Sequence, residues 1–172
     1  MSYHIRVRPT ALVIQEERIL LVEYSDENGI HFNLPGGGAE PGETITDGVL
    51  RELYEETTIS AVAGPIAFVY EYAPHHHSGN NTSNIHTLYI VLECYPQAGS
   101  VARLPDIPDP DQSAVRWIPL SQLDDIVLYP NIKQHIKKYV ITERKNIELI
   151  EDHQLATYNQ VPYTTEVTSG DL

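Results

Sequence analysis

Residues 34–59 read LPGGGAEPGETITDGVLRELYEETTI. Pro35 and the glycines Gly36, Gly37 and Gly38 stop a short strand expected over His31–Leu34. From Ile45 the spacing turns helical, with Ile45, Val49, Leu50 and Leu53 on one side and Thr44 or Thr46 as the cap. Six acidic residues lie in this stretch, Glu40, Glu43, Asp47, Glu52, Glu55 and Glu56, opposed by Arg51 alone. On a helix, Glu52, Glu55 and Glu56 stand at i, i+3 and i+4, so they share a face. Crowding three like charges costs free energy, and a hard divalent cation with oxygen ligands removes that cost. Glutamates on a helix are commonly just a solvated face, but a solvated helix needs no strand and glycine-rich loop before it. The P-loop pattern G-x-x-x-x-G-K-[ST] fits at Gly37, Gly42 and Thr44, but Glu43 stands where that loop has its phosphate-binding lysine. A P-loop is therefore rejected.

Residues 37–59 closely resemble the Nudix box of the MutT-like Nudix hydrolases, G-x5-E-x7-R-E-U-x-E-E-x-G-U. Gly37, Glu43, Arg51, Glu52, Leu53, Glu55, Glu56 and Ile59 occupy its places in order. One place departs: Thr58 stands where the family has a glycine, at a helix end where a left-handed backbone is common. A β-branched side chain suits that conformation poorly. Weaker likeness runs over roughly residues 5–140, including Trp117-Ile118-Pro119-Leu120.

The resemblance implies an α/β (α+β) fold, an α/β/α sandwich with a mixed β-sheet. It implies metal-dependent hydrolysis of a nucleoside diphosphate linked to another moiety (NDP-X), by attack of water on the pyrophosphate. The cofactor implied is Mg²⁺ or Mn²⁺. Glu52 and Glu56 are the implied principal ligands, with Glu55 a further ligand or the group that activates water, and the Gly37 carbonyl completing the shell. Arg51 is expected to orient carboxylates, among them Glu43 or Glu55. Phe32 and Tyr72, with Tyr70 and Tyr129, are candidates to stack on a base, and Glu40 is a candidate substrate contact. Glu71, Glu93 and Asp111 are weaker candidates for an outer carboxylate, and His75, His76, His77 and His86 for a phosphate or metal contact. The alternative reading is a catalytically silent Nudix-fold nucleotide-binding or regulatory module.

Outside the box, Ala11–Ile14 and Ile19–Val22 read as a hairpin around Gln15–Glu17. Residues 59–73 and 84–95 read as long strands, rich in Ile, Val, Phe and Tyr, around a polar loop at 74–83. Residues 104–112 carry three prolines and three aspartates and read as loop. A strand is expected over Ala114–Ile118, one helical turn over Ser121–Asp125, and an amphipathic helix over Pro130–Tyr139. This sets a domain over 1–145 and an acidic arm or tail over 146–172.

The 172 residues suit one such domain. Eleven Lys and Arg against 24 Asp and Glu give a net charge of −13. That surface repels long nucleic acid and anionic lipid, so neither is an expected partner; the small nucleotide-type substrate is what the family resemblance implies. No apolar run is long enough to span a bilayer. The first ten residues lack an apolar signal core, and Cys94 is the sole cysteine, so a reducing cytoplasm is the expected compartment. Cys94 lies in an apolar run and reads as an inert buried thiol. A homodimer is the commonest symmetric assembly for such a chain.

Overall fold

The computed structural model describes residues 4–76, 83–142, 147–151 and 155. In chain order these form β1 (Arg6–Leu12), β2 (Ile14–Gln15), β3 (Arg18–Asp26), β4 (Gly29–Asn33), α1 (Ile45–Thr57), β5 (Ala61–Tyr72), β6 (Thr87–Pro96), β7 (Gln112–Pro119), a 3-10 turn (Leu120–Asp125), β8 (Leu128–Tyr129), α2 (Lys133–Ile141) and β9 (Glu148–Glu151). His77 and the Asn80–Asn81–Thr82 run lie outside the described residues, as does most of 146–172.

The fold is mixed α+β, and its strands form two curled mixed sheets. One has the order β1-β6-β5-β9, with β1–β6 and β5–β9 parallel and β5–β6 antiparallel. In the other, β3 pairs antiparallel with β2, β4 and β7, and β8 runs parallel to β4. Strand alternation divides the apolar residues between two cores. Leu12, Ile19, Leu21 and Val91 pack with Ile136 and Tyr139 of α2. Their neighbours Ala11, Val13, Leu20 and Leu92 pack with Val49 and Leu53 of α1. The strands thus lie between the two helices.

The expected hairpin differs in one respect. Its first strand is split at Val13: β1 joins β6 in one sheet, while β2 turns back onto β3 in the other. Glu16 and Glu17 form the two-residue turn with φ of 49° and 61°. That twist suits a tight hairpin even though neither residue is glycine. The second helix begins at Lys133, three residues after Pro130, and runs to Ile141. β9 adds an edge strand beside β5, and Leu155 is buried in the α2 core.

α1 is bounded by local chemistry. Thr44 is the N-cap: its hydroxyl accepts from the Asp47 N–H, and the Asp47 carboxylate accepts from the Thr44 N–H. This reciprocal box satisfies two amide donors that a helix start leaves free. At the other end Thr58 takes the left-handed place itself, φ 60° and ψ 11°, and donates its N–H to the Tyr54 carbonyl. Its hydroxyl donates to the Val101 carbonyl at 2.9 Å, tying the helix exit to the 97–103 loop. A β-branched residue in this region costs about 1–2 kcal/mol. Gly48, inside the helix, lets β1 approach closely: a methyl there would stand 2.8 Å from Glu43 Oε1 and 3.0 Å from Pro9 Cγ.

Candidate active site

The glycine loop and α1 meet β1, β3 and β4 at an open cleft of about 500 Å³. Its helix wall carries Arg51, Glu52, Glu55 and Glu56, and its loop wall Gly36, Gly37, Gly38 and Glu40. The strand wall carries Arg6, Arg8, Tyr24, His31 and Asn33, and Asp109 reaches in from the loop before β7.

Arg51 is the hub of the helix wall. Its guanidinium donates twice to Glu43, Nε to Oε2 at 3.0 Å and Nη2 to Oε1 at 2.9 Å. Nη1 donates to Glu52 at 2.8 Å and to Glu55 at 3.1 Å, and Nη2 to the Gly38 carbonyl at 3.2 Å. Glu40 stands 4.0 Å from Nη1, at the rim. These charge-assisted bonds hold the Glu43 carboxyl below its ordinary range, the Arg51 contact acting first and the Glu40 N–H second. They also hold the Arg51 guanidinium firmly charged. Gly37 leaves room for the Glu52 carboxyl group: a methyl there would overlap it and push it from its place.

Glu56 is only 4% exposed. Its Oε2 accepts from the Gly36 N–H at 2.7 Å and its Oε1 from the Tyr24 hydroxyl at 3.1 Å. Burial nevertheless pushes its carboxyl up to about 7. Burial also raises Glu52, and Tyr24, whose phenolate form the neighbouring Glu56 disfavours as well. Arg8 donates to the Gly36 carbonyl and lies over the Tyr89 ring, 5.6 Å from its centroid. The loop bearing Asp109 is fastened to α1 because Gln112 donates to the Glu56 carbonyl at 2.8 Å.

Among the described residues, no three carboxylates or imidazoles are drawn together in ligating geometry. Helical spacing alone predicts convergence of Glu52, Glu55 and Glu56. Arg51 instead takes up Glu52 and Glu55, and Glu56 turns to Gly36 and Tyr24. The donor set still fits a hard divalent cation: it is all oxygen, it lines one cleft, and burial penalises the charged form of two of its carboxylates, Glu52 and Glu56, a cost that a bound cation would offset.

Of the residues expected at the site, Gly37, Glu40, Arg51, Glu52, Glu55 and Glu56 line the cleft, and Glu43 adjoins it through Arg51. Phe32 and Tyr72 are core residues, 0% and 3% exposed. Alternation along β4 turns Phe32 inward while His31 and Asn33 face the cleft; the Tyr72 hydroxyl donates to the Ser83 carbonyl. Tyr70 is likewise buried. Glu93 is buried and accepts from the Tyr139 hydroxyl at 2.9 Å. His86 pairs with Glu71 at 2.8 Å, away from the cleft lining. Cys94 is buried, and burial pushes its thiol up to about 12. Arg6, Arg8, Tyr24, His31, Asn33 and Asp109 were not anticipated. Arg6 and Arg8 had one signal, alternation along a strand in a chain otherwise poor in cations.

The chain has counterparts among known proteins. The family model for the NUDIX domain matches residues 4–142, and the chain belongs to that family. A MutT-like protein of Streptomyces ambofaciens is 32% identical over 112 residues, 65% of this chain and 62% of that protein. The chain thus spans less than two thirds of that relative. A NUDIX hydrolase from Nitrosomonas europaea superposes with a TM-score of 0.66 at 23% identity, covering 82% of this chain and 92% of the other. A bifunctional NMN adenylyltransferase/ADP ribose pyrophosphatase from Francisella tularensis, complexed with AMP and a Mn ion, gives 0.60 at 25% identity, over 84% of this chain and 43% of that one. No described helix is long and apolar enough to cross a membrane.

Proposed function

We propose that the protein is a metal-dependent pyrophosphohydrolase that cleaves NDP-X substrates by attack of water on the pyrophosphate. The observation that carries this reading is the Arg51 hub. One guanidinium, held by Glu43, presents Glu52 and Glu55 to the cleft beside the buried Glu56. Such a knot has no use on a solvated helix face.

Glu52 and Glu56 are the proposed principal ligands for Mg²⁺ or Mn²⁺, with the Gly37 carbonyl as a further donor. When held there, such a cation would supply charge neutralisation for the phosphates and a more acidic water. Glu55, the most exposed of the three at 56% of its side chain, is the further ligand or the group that takes the proton from the attacking water. Glu43 does not touch substrate in this scheme; it orients Arg51, and Arg51 orients Glu52 and Glu55. Glu40 lies at the rim and is a proposed substrate contact. Arg6, beside Gly38, offers a positive charge to the substrate's phosphates in an otherwise acidic molecule.

The test is a panel of nucleoside diphosphate derivatives incubated with Mg²⁺, Mn²⁺ or EDTA, with products identified by mass. A Glu56→Gln variant runs beside the parent. Metal-dependent cleavage lost in the variant is the expected result. Metal binding with no cleavage across the panel would favour a silent nucleotide-binding module.

A further inference from the structure

Where β7 passes β3 beside the cleft, the ladder is irregular. Ala114 pairs with Glu23 but Gln112 pairs with Tyr24, so Ser113 is the extra residue of a bulge. A bulge beside a site re-aims a neighbouring side chain. Regular alternation along β7 would put Gln112 on the face of Ala114 and Arg116, where Arg116 meets Glu23. The added residue turns Gln112 to the face of Tyr24 and α1 instead. The bulge is pinned in place. The Ser113 hydroxyl donates to Glu23 Oε1 at 2.8 Å, and Arg116 Nε donates to Oε2 of the same buried carboxylate at 3.0 Å.

Turned this way, Gln112 is 6% exposed and bonds only residues of the cleft. Its Nε2 donates to the Glu56 carbonyl at 2.8 Å, and its Oε1 accepts from the Asp109 N–H at 3.2 Å. Its own N–H donates to the Asp109 carbonyl at 3.0 Å. Across the same rung, the Tyr24 hydroxyl donates to Glu56 Oε1 at 3.1 Å. Register partners thus grip Glu56 from two sides, one by its main chain and one by its carboxylate. The Ser25 N–H, donating to the Asp111 carbonyl at 2.9 Å, stitches the loop to β3 as well. A helix end leaves its last carbonyls free, and any donor could cap that of Glu56. A cap alone needs neither a link to Asp109 nor a bulge to aim it.

We infer that Gln112 and Tyr24 are positioning residues for the reaction. Gln112 fixes the main chain of Glu56 against the loop bearing Asp109, and Tyr24 fixes the direction of the Glu56 carboxylate. The inference rests on the hydrolase reading for the role of Glu56 as a metal ligand. Partners that orient a ligand typically change metal affinity or turnover by about ten- to a hundredfold when removed.

The test compares Gln112→Met, which keeps the side chain's length without its donor and acceptor, with Tyr24→Phe, which keeps the ring. Titration calorimetry with Mn²⁺ alone reads the metal site in the absence of substrate. Each variant is expected to weaken Mn²⁺ binding about tenfold or more. On a cleaved substrate each should lower kcat by a similar factor, with KM near the parent value. The double variant should lose less than the product of the two single losses, because both act on one residue. Should Gln112→Met fail to fold, Gln112→Glu takes its place, keeping the acceptor for Asp109 and losing the donor to Glu56. Melts in EDTA separate positioning from plain support. A residue that only caps α1 lowers the melting temperature, yet leaves Mn²⁺ affinity and kcat, measured well below it, at parent values. That outcome overturns the inference, and so does a folded parent that holds no Mn²⁺. The two readings fail separately. A parent whose Mn²⁺ binding depends on Gln112 and Tyr24 but which cleaves nothing sinks the hydrolase. A parent that cleaves, with variants that bind Mn²⁺ and turn over as it does, sinks the clamp.

Discussion

The two walls of the cleft are built by different physics. The helix wall is local: Glu43, Arg51, Glu52, Glu55 and Glu56 lie within fourteen consecutive residues, 43–56, and one capped helix sets their spacing. The strand wall is assembled from afar. Arg8, Tyr24 and His31 come from three strands, β1, β3 and β4, and the pairing of strands brings them together. The helix wall is negative and bonded through one guanidinium; the strand wall carries Arg6 and Arg8 with the rings of Tyr24 and His31. Charge chemistry concentrates where spacing is fixed by covalent sequence. The strand wall depends instead on register, and a shift of one residue would change which side chains face the cleft.

The largest expected effect breaks the helix wall at Glu56. Its folded carboxyl titrates near 7 against an ordinary 4.5. Below 4.5 both folded and unfolded forms are protonated, so Glu56 costs nothing. Between 4.5 and 7 the unfolded chain ionises first, so metal-free stability falls with rising pH, by about 3 kcal/mol at most. Urea melts in EDTA across this window should show the decline, and Glu56→Gln should flatten it. The same variant should lose at least about a hundredfold in turnover. A parent with no decline between pH 4.5 and 7 would contradict the burial argument.

Gly37→Ala comes next. Its methyl displaces the Glu52 carboxyl, and misplacement by about 1 Å costs about a hundredfold in kcat. Unchanged kinetics in a folded variant would mean that Glu52 does not work from its observed position. Arg51→Lys keeps the charge but loses the twofold donation to Glu43. It should cost about ten- to a hundredfold in turnover, read from kcat, with weaker metal binding by calorimetry.

The smallest effect sharpens the comparison from outside the cleft. Thr58→Gly relieves about 1–2 kcal/mol of left-handed strain and forfeits an exposed hydrogen bond worth about 0.5–1.5 kcal/mol. The expected result is a melting temperature equal to or slightly above that of the parent, with turnover unchanged. A clear loss of stability would show that the bond to Val101 outweighs the strain.

Much of the helix wall was legible before any coordinates, because a helix converts sequence spacing into position by fixed geometry. The same spacing puts Glu52, Glu55 and Glu56 on one face, and all three line the cleft; that Arg51 takes Glu52 as well as Glu43 and Glu55, while Glu56 turns to Gly36 and Tyr24, is set by the fold. The hairpin was half legible: the turn at Glu16–Glu17 was plain, but the switch of sheets at Val13 was not, since a run of apolar residues looks the same in one strand or two. Phe32 and Tyr72 read in the sequence as strand aromatics able to stack on a base, and both are core residues. Which of two neighbouring strand residues faces the cleft is a matter of register, and His31 and Asn33, not Phe32, took that face.

The amino-acid sequence by itself determined the family, the capped helix, the glycine loop and the carboxylates with their arginine, because these follow from contacts a few residues apart. Only the tertiary structure decided that Arg8, Tyr24, His31 and Asn33 line one wall, that Gln112 clamps the Asp109 loop to α1, and that Glu56 is buried. Each depends on pairing between strands far apart in the chain, and burial is a property of everything packed around a residue.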